Sequence, residues 1–237
     1  CELLDRLKEL CNKNNRGWEW RHGCRTSCST YLAQGEHRLV YKGEYTKGPR
    51  KGEASVWKVF KTGSVFEARF FDEDINASRK AASLIKKFNI RNSEKNDQLP
   101  IVHMNEPEVW VEDGSGKKGL VEPFIEGQYQ KFNSNTGRAD PNHPLMQALS
   151  HYSWHVSEGE YLLCDLQGCF ACGRYLLTDP VVLSMKREFG GTDGGEAAMK
   201  NFFAHHVCGR YCCSAWSKPA PPVVRQPACA GTSFFFR

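Results

Sequence analysis

The segment His206-Val207-Cys208-Gly209-Arg210-Tyr211-Cys212 constrains this chain more than any other stretch. It offers one imidazole and two thiolates, the donor set that Zn²⁺ prefers, and a closed tetrahedral site needs a fourth ligand brought in by the fold. Cys208 and Cys212 are four apart and would share a helix face, whereas His206 would point away from that face on an undistorted helix. One ion held by all three therefore requires the helix to bend or end near Gly209. His151 and His155 are the candidate fourth donors. The plain alternative is three coincident residues in a Cys-rich helix. The eleven cysteines bear on that choice: the number is odd, and six fall between Cys164 and Cys213. Small disulfide frameworks belong to short secreted domains, so a metal site with buried free thiols in a reducing, intracellular compartment, the cytoplasm, is expected.

At 237 residues, 40% hydrophobic and 25% charged, the chain has the balance of a globular protein whose core needs no disulfides. A net charge of +5, evenly spread, gives no reason to expect a nucleic-acid partner. No apolar run approaches the roughly 18 residues of a membrane span, and Tyr161-Leu162-Leu163-Cys164 is cut short by Asp165. No membrane contact is expected of this segment. There is no signal-peptide pattern, and an opening at Cys1 without Met reads as an excised domain.

Along the chain, residues 1–30 form a Lys/Arg-rich extension without a usable motif. Leu39-Val40-Tyr41 and Ala54 to Phe60 read as strands, joined by a turn at Lys47 to Gly52. Phe66 to Phe88 follows a helical period, with Phe71, Ile75, Ser78, Ala82 and Ile85 on one side and Lys80 left to solvent. A mixed polar stretch runs on to Pro100. Val109 to Val111 and Leu120 to Phe124 are further strands. A second half begins near Asn133. There, Pro144 to His155 reads as a helix with Pro in its first turn, and Glu160 to Asp165 as an apolar strand ending in an acid. Glu196 to Tyr211 reads as a helix with Met199, Phe202, Phe203 and Val207 on one side. After Trp216 a Pro-containing tail, 217–237, is expected to be extended and disordered. The order is a two-lobed α+β arrangement.

Several residues could carry chemistry, each with a plainer alternative. Asp165 and Gln167, at i and i+2 of an extended segment, would point the same way and make a Mg²⁺ pair, or Asp165 could cap a turn. Asp179, before Pro180, could orient or deprotonate a hydroxyl, or close another turn. Phe189-Gly190-Gly191-Thr192-Asp193-Gly194-Gly195 precedes a helix and could present backbone N–H groups to an anion, yet it lacks P-loop or dinucleotide spacing. Lys58 sits among Val56, Trp57, Val59 and Phe60, where an unpaired charge is expensive. A phosphate partner or a solvent-facing edge would explain it. Arg38 follows a Gly turn into the first strand and could also face phosphates.

Each is ambiguous alone, but the ordered series is not. Gly35 with Arg38, strand Lys58, Glu122-Pro123-Phe124, Asn135-Thr136-Gly137, Ser150-His151, Asp165-Leu166-Gln167-Gly168, Thr178-Asp179-Pro180, the Gly-rich loop and His206-Val207-Cys208 to Cys212 together resemble the alpha-kinase family of atypical protein kinases. The resemblance covers about residues 31–216 and is strongest from Phe132 to Cys212. It implies a two-lobed, protein-kinase-like α+β fold, with a mainly β N-lobe over about 31–132 and a zinc-stabilised C-lobe over about 133–216. By the resemblance, Lys58 and Arg38 contact the phosphates of ATP, Glu122 meets adenine, Asp165 and Gln167 hold Mg²⁺, and Asp179 is the catalytic aspartate. His151, His206, Cys208 and Cys212 become four structural zinc ligands. Gly190, Gly191, Thr192, Asp193 and Gly195 belong to a loop that helps to receive a protein substrate.

The implied reaction moves the γ-phosphoryl group of ATP to a Ser or Thr hydroxyl. Three departures stand out: a longer interval from Asp165 to Asp179 carrying Phe170 to Arg174, Asp193-Gly194 in the loop, and Gly209 between the zinc cysteines. None removes a catalytic group. A catalytically silent nucleotide-binding domain stabilised by zinc is the main rival, and a basic zinc module on nucleic acid a remote one.

Overall fold

The computed structural model describes residues 17–19, 25–35, 38–61, 71–95, 98–112 and 116–234. The start of the helix expected from Phe66, and most of the N-terminal extension, lie outside them. The chain divides into two compact units, Cys1–Asp72 with Pro107–Phe124, and Glu73–Glu106 with Ile125–Arg237.

The first unit is a closed antiparallel barrel. Its strands are β1 (Gly17–Glu19), β2 (Arg25–Gln34), β3 (Arg38–Lys47), β4 (Ala54–Phe60), β6 (Glu108–Glu112) and β7 (Lys118–Pro123), in the order β1-β2-β3-β4-β7-β6. Closure leaves no open sheet edge to template aggregation. Two of these strands begin inside residues 1–30, where no strand was expected. The expected β3–β4 turn is present, with Gly48 and Gly52 at φ 101 and 90. Alternate side chains fill the interior: Tyr41, Tyr45, Trp57, Trp110 and Val121 pack together, as the two-residue period of a strand requires. Gly119 is needed because a Cβ there would overlap the Trp57 indole.

The second unit holds three helices, α1 (Asp72–Glu94), α2 (Pro144–Val156) and α3 (Gly195–His205). α1 runs six residues beyond the expected end, since Asn89 to Glu94 breaks no helical rule. Its buried face is Ala77, Ser78, Ala81, Leu84, Ile85 and Phe88, rotated from the expected stripe, and it packs on Leu145, Met146, Leu149 and Tyr152 of α2. Lys80 is not left to water: its ammonium lies 3.8 Å from the centroid of the Tyr161 ring.

One sheet has the order β5-β11-β10-β8, from β5 (Ile101–Met104), β8 (Gln130–Lys131), β10 (Gln167–Ala171) and β11 (Arg174–Thr178). A two-stranded pair, β9 (Tyr161–Cys164) with β12 (Val181–Ser184), packs under α3 through Leu162, Leu183, Met199 and Phe202. Phe170 to Arg174, the extra length between Asp165 and Asp179, becomes the end of the β10–β11 hairpin. Its two-residue turn, Cys172-Gly173, has both φ positive, the geometry that a tight hairpin favours. Among the described residues no helix is long and apolar enough to cross a membrane.

Candidate active site and metal cluster

In the first unit, β3, β4 and β7 carry the residues expected at the nucleotide, Arg38, Lys58 and Glu122. Lys58 is 6% exposed, which removes the solvent-facing alternative. Its ammonium forms an ion pair with the Glu122 carboxylate of the neighbouring strand, itself 3% exposed. Burial of either charge alone would be strongly unfavourable, so the two hold each other. Glu122, expected at adenine, is therefore placed on Lys58. Arg38 sits at the start of β3 with its guanidinium carbon 4.8 Å from the Phe60 ring centroid.

In the second unit, Asp165 and Gln167 do not lie on one extended segment as expected. Asp165 has φ 56, so the chain turns there between β9 and β10, and simple alternation does not apply. Asp179, at the end of β11, also has positive φ, 48. Left-handed non-glycine residues cost about 1–3 kcal/mol and persist where surrounding structure holds them, often at functional sites. The surroundings are visible. Gln167 Nε2 donates to the Asp179 carbonyl at 3.1 Å, tying the two turns together across the β10–β11 pair. Gly168 has φ 147, and a Cβ there would run into the Leu176 carbonyl, so the Asp165-Leu166-Gln167-Gly168 run cannot exchange its glycine.

Two residues not singled out in the sequence complete this site. Asn133, 3% exposed, accepts from Leu166 N–H at 2.9 Å and donates to Gln147 Oε1 and Ser150 Oγ of α2 at 2.8 and 2.9 Å. It fixes the turn that carries Asp165 to the helix that carries His151. Lys131 of β8 sets its ammonium 2.6 Å from Asp165 Oδ1, as an ion pair on a carboxylate only 1% exposed. The signal available in sequence was the polar run Asn133 to Thr136. By sequence it reads as the start of a new half, but all four side chains are buried.

The Gly-rich loop is less open than expected. Asp193 is fully buried, and its carboxylate accepts from Ser184 N–H and Oγ, Phe189 N–H and Gly195 N–H at 2.6–3.3 Å. It therefore shapes the loop from within and takes one of the helix-start donors that an anion would use. Gly191 and Thr192 remain toward solvent, while Gly190 is buried.

α3 ends at His205, well short of Tyr211, and this is a correction to the expected helix. His206 leaves the helix with φ −74 and ψ 122, and Val207 is 82% exposed. The helix must stop there, because donors at 206, 208 and 212 cannot converge from one regular helix. His206, Cys208 and Cys212 instead gather with His151 of α2, their ligand atoms all within 4.8 Å of one another. His151 Nδ1 lies 3.2 Å from His206 Nε2, and Cys208 Sγ lies 3.5 Å from each of these nitrogens. Cys212 Sγ is 3.7 Å from His206 Nε2. Tetrahedral zinc, with bonds of about 2.0–2.1 Å to nitrogen and about 2.3 Å to sulfur, has edges of about 3.3 Å between nitrogens and about 3.6 Å between nitrogen and sulfur. The separations among His151, His206 and Cys208 match those edges, and Cys212 lies close to His206 while the whole set spans up to 4.8 Å.

The electrostatics agree. Burial, then the facing His151 and Lys218, push the His206 imidazole down to about 4, and burial lowers His151 as well, so both imidazoles are neutral near pH 7 and keep lone pairs to give. His151 Nε2 meets the Ser217 carbonyl at 3.0 Å. That partner is the one a metal-ligating histidine needs to set its tautomer and leave Nδ1 for the ion. Burial, with Cys208 beside it, pushes the Cys212 thiol up to about 11, and a cation would reverse that preference. His155 stands apart, with Nδ1 near Ser217 Oγ. Elsewhere Cys164 and Cys169 are buried free thiols.

The alpha-kinase family model matches residues 33–212. Among curated proteins, alpha-protein kinase vwkA of Dictyostelium discoideum is 36% identical over 95 residues, 39% of this chain and 15% of that protein. Alpha-protein kinase 1 of the same organism is 28% identical over 77% of this chain and 13% of its own length. Mouse eukaryotic elongation factor 2 kinase is 36% identical over 42% of this chain and 14% of its own length. The chain thus spans a small part of these relatives. Among solved structures, an alpha kinase from Entamoeba histolytica superposes with TM-score 0.70 at 19% identity, covering 94% of this chain and 89% of that one. The alpha-kinase domain of myosin-II heavy chain kinase A with AMP-PNP gives 0.68 at 20% identity, covering 83% and 92%.

Proposed function

The chain belongs to the alpha-kinase family, and from that membership we propose that it is an ATP-dependent protein kinase acting on Ser or Thr hydroxyls. One observation carries the reading. Asp165 and Asp179 stand on two left-handed turns, and the Gln167 side chain holds the main-chain carbonyl of Asp179, a constraint on both acids that a mere strand connection does not need. Asp165, with Gln167, would hold Mg²⁺, which neutralises charge on the phosphates when bound. Lys58 and Arg38 would engage phosphate oxygens, with Lys58 exchanging its Glu122 partner for the nucleotide. Asp179, more exposed than Asp165, would orient the acceptor hydroxyl and take its proton. The hydroxyl oxygen bonds to the γ-phosphorus, the bond to the β–γ bridging oxygen breaks, and ADP leaves. The exposed Gly191 and neighbouring Thr192 would lie along the protein substrate, with Asp193 bracing the loop. His151, His206, Cys208 and Cys212 would hold one structural Zn²⁺, since four protein ligands leave no position for a reactive water.

The acceptor class is tested by acid hydrolysis of a labelled product: phosphoserine or phosphothreonine is expected, and phosphotyrosine alone would contradict it. Lys58→Met should weaken ATP binding by calorimetry by about tenfold or more, because a charged hydrogen bond to phosphate is worth about 1.5–3 kcal/mol. The methionine keeps the buried stem, and a melting curve checks the fold. Unchanged affinity would make Lys58 only a partner for Glu122.

A further inference from the structure

Residues 217–234, expected to be extended and disordered, are extended and hydrogen-bonded to the second unit, and these bonds follow a pattern. At three tail positions both main-chain groups are read by side chains of the domain. Gln226 N–H donates to Asn201 Oδ1 at 2.8 Å, and its carbonyl accepts from His205 Nε2 at 2.6 Å. Cys229 N–H donates to Thr136 Oγ1 at 2.8 Å, and that hydroxyl lies 3.3 Å from the Cys229 carbonyl. Ser233 N–H donates to Asn135 Oδ1 at 3.0 Å, and Asn135 Nδ2 returns a bond to the Ser233 carbonyl at 2.8 Å. Asn135, Thr136 and Asn201 are 0%, 6% and 7% exposed beneath the tail, where polar groups without partners would be costly. Because it reads backbone, such a track accepts an extended peptide with little regard to sequence.

The end of the tail reaches the site chemistry. Thr232 Oγ1 donates to Asp165 Oδ2 at 2.5 Å and accepts from Lys131 Nζ at 2.9 Å. Lys131 is also an ion-pair partner of Oδ1, although that oxygen receives no aligned hydrogen bond. Phe234 extends to the Gly-rich loop, where a Cβ on Gly191 would touch its ring at 3.8 Å. A metal ion on Asp165 would approach to about 2.0–2.1 Å, and at Oδ2 it would meet the Thr232 hydroxyl already seated there, so tail and ion compete for that oxygen.

We propose that Asn135, Thr136, Asn201 and His205 form a binding track for an extended peptide, that its resident is the chain's own segment 226–233, and that the docked segment competes through Thr232 with metal–nucleotide at Asp165. This rests on the kinase reading, in which Asp165 is the metal acid. The test uses the full chain with Mg²⁺ and AMP-PNP in calorimetry, and hydrogen exchange at the Cys229 and Ser233 amides. Thr232→Val removes the competing hydroxyl, and Cys229→Pro removes an N–H from the track without touching the domain. Both variants should bind the nucleotide more tightly: Thr232→Val by about tenfold, for the loss of a hydrogen bond to a carboxylate, and Cys229→Pro by about three- to tenfold, for the loss of a neutral one. Adding nucleotide to the native chain should speed exchange at both amides. Affinities equal within about twofold in all three proteins, with amide protection unchanged, would overturn the competition and leave the kinase reading standing. No nucleotide binding in any of the three would overturn that reading and this inference with it.

Discussion

Asp179→Asn should reduce phosphoryl transfer by about 10²–10⁴-fold, the usual worth of a positioned general base, while ATP affinity stays near native. The asymmetry follows from the site. Asp179 is exposed and meets Gln167 through its carbonyl oxygen, so removing carboxylate charge leaves that link in place. Asparagine also tolerates the left-handed backbone at φ 48, whereas alanine there would add strain and blur the result. Calorimetry with ATP and single-turnover rates separate the two quantities. A variant that keeps most of its rate would reduce Asp179 to a turn residue.

Cys212→Ala should have the largest effect on stability. Structural zinc contributes on the order of 10 kcal/mol of apparent binding free energy, comparable to the whole stability of a domain. The cluster joins His151 of α2 to the end of α3 and to the loop through Cys212. His151 also stacks edge-on against Trp216 and Phe203, each at 5.2 Å. Without one thiolate the coordination sphere is left open and the ion that would join α2 to the end of α3 is weakly held. The variant should be insoluble or unfolded, and a strong chelator should melt the native chain. Elemental analysis should give about one zinc per chain for a four-ligand site. A soluble, metal-free and fully active protein would leave these cysteines as ordinary buried thiols.

Much of the site was legible because its residues sit in short ordered runs. Lys58 among apolar neighbours, the acid at the end of β9 and the His-Cys-Cys spacing each pointed to chemistry before any geometry. The limits were those of local pattern. Strand alternation predicts one direction for Asp165, but a left-handed turn, which Asp tolerates without being required to adopt it, sets another. α3 was drawn too long because Val207 and Tyr211 fit a helical period, while the convergence of four distant ligands decided otherwise. The polar run Asn133 to Thr136 reads as a boundary because only tertiary structure shows what those side chains bond: the Asp165 turn on one side and the tail on the other. The tail itself looked disordered for the same reason, since its partners are reached through its backbone.

The most direct measurement is transfer of labelled phosphate from ATP, with Mg²⁺ and a basic protein as acceptor, run beside Asp179→Asn and with nucleotide binding measured on the same samples. A kinase gives label on Ser or Thr that disappears in the variant while both proteins bind ATP. ATP binding without any transfer in the native chain, also after Thr232→Val, would contradict catalysis and leave a silent nucleotide-binding domain.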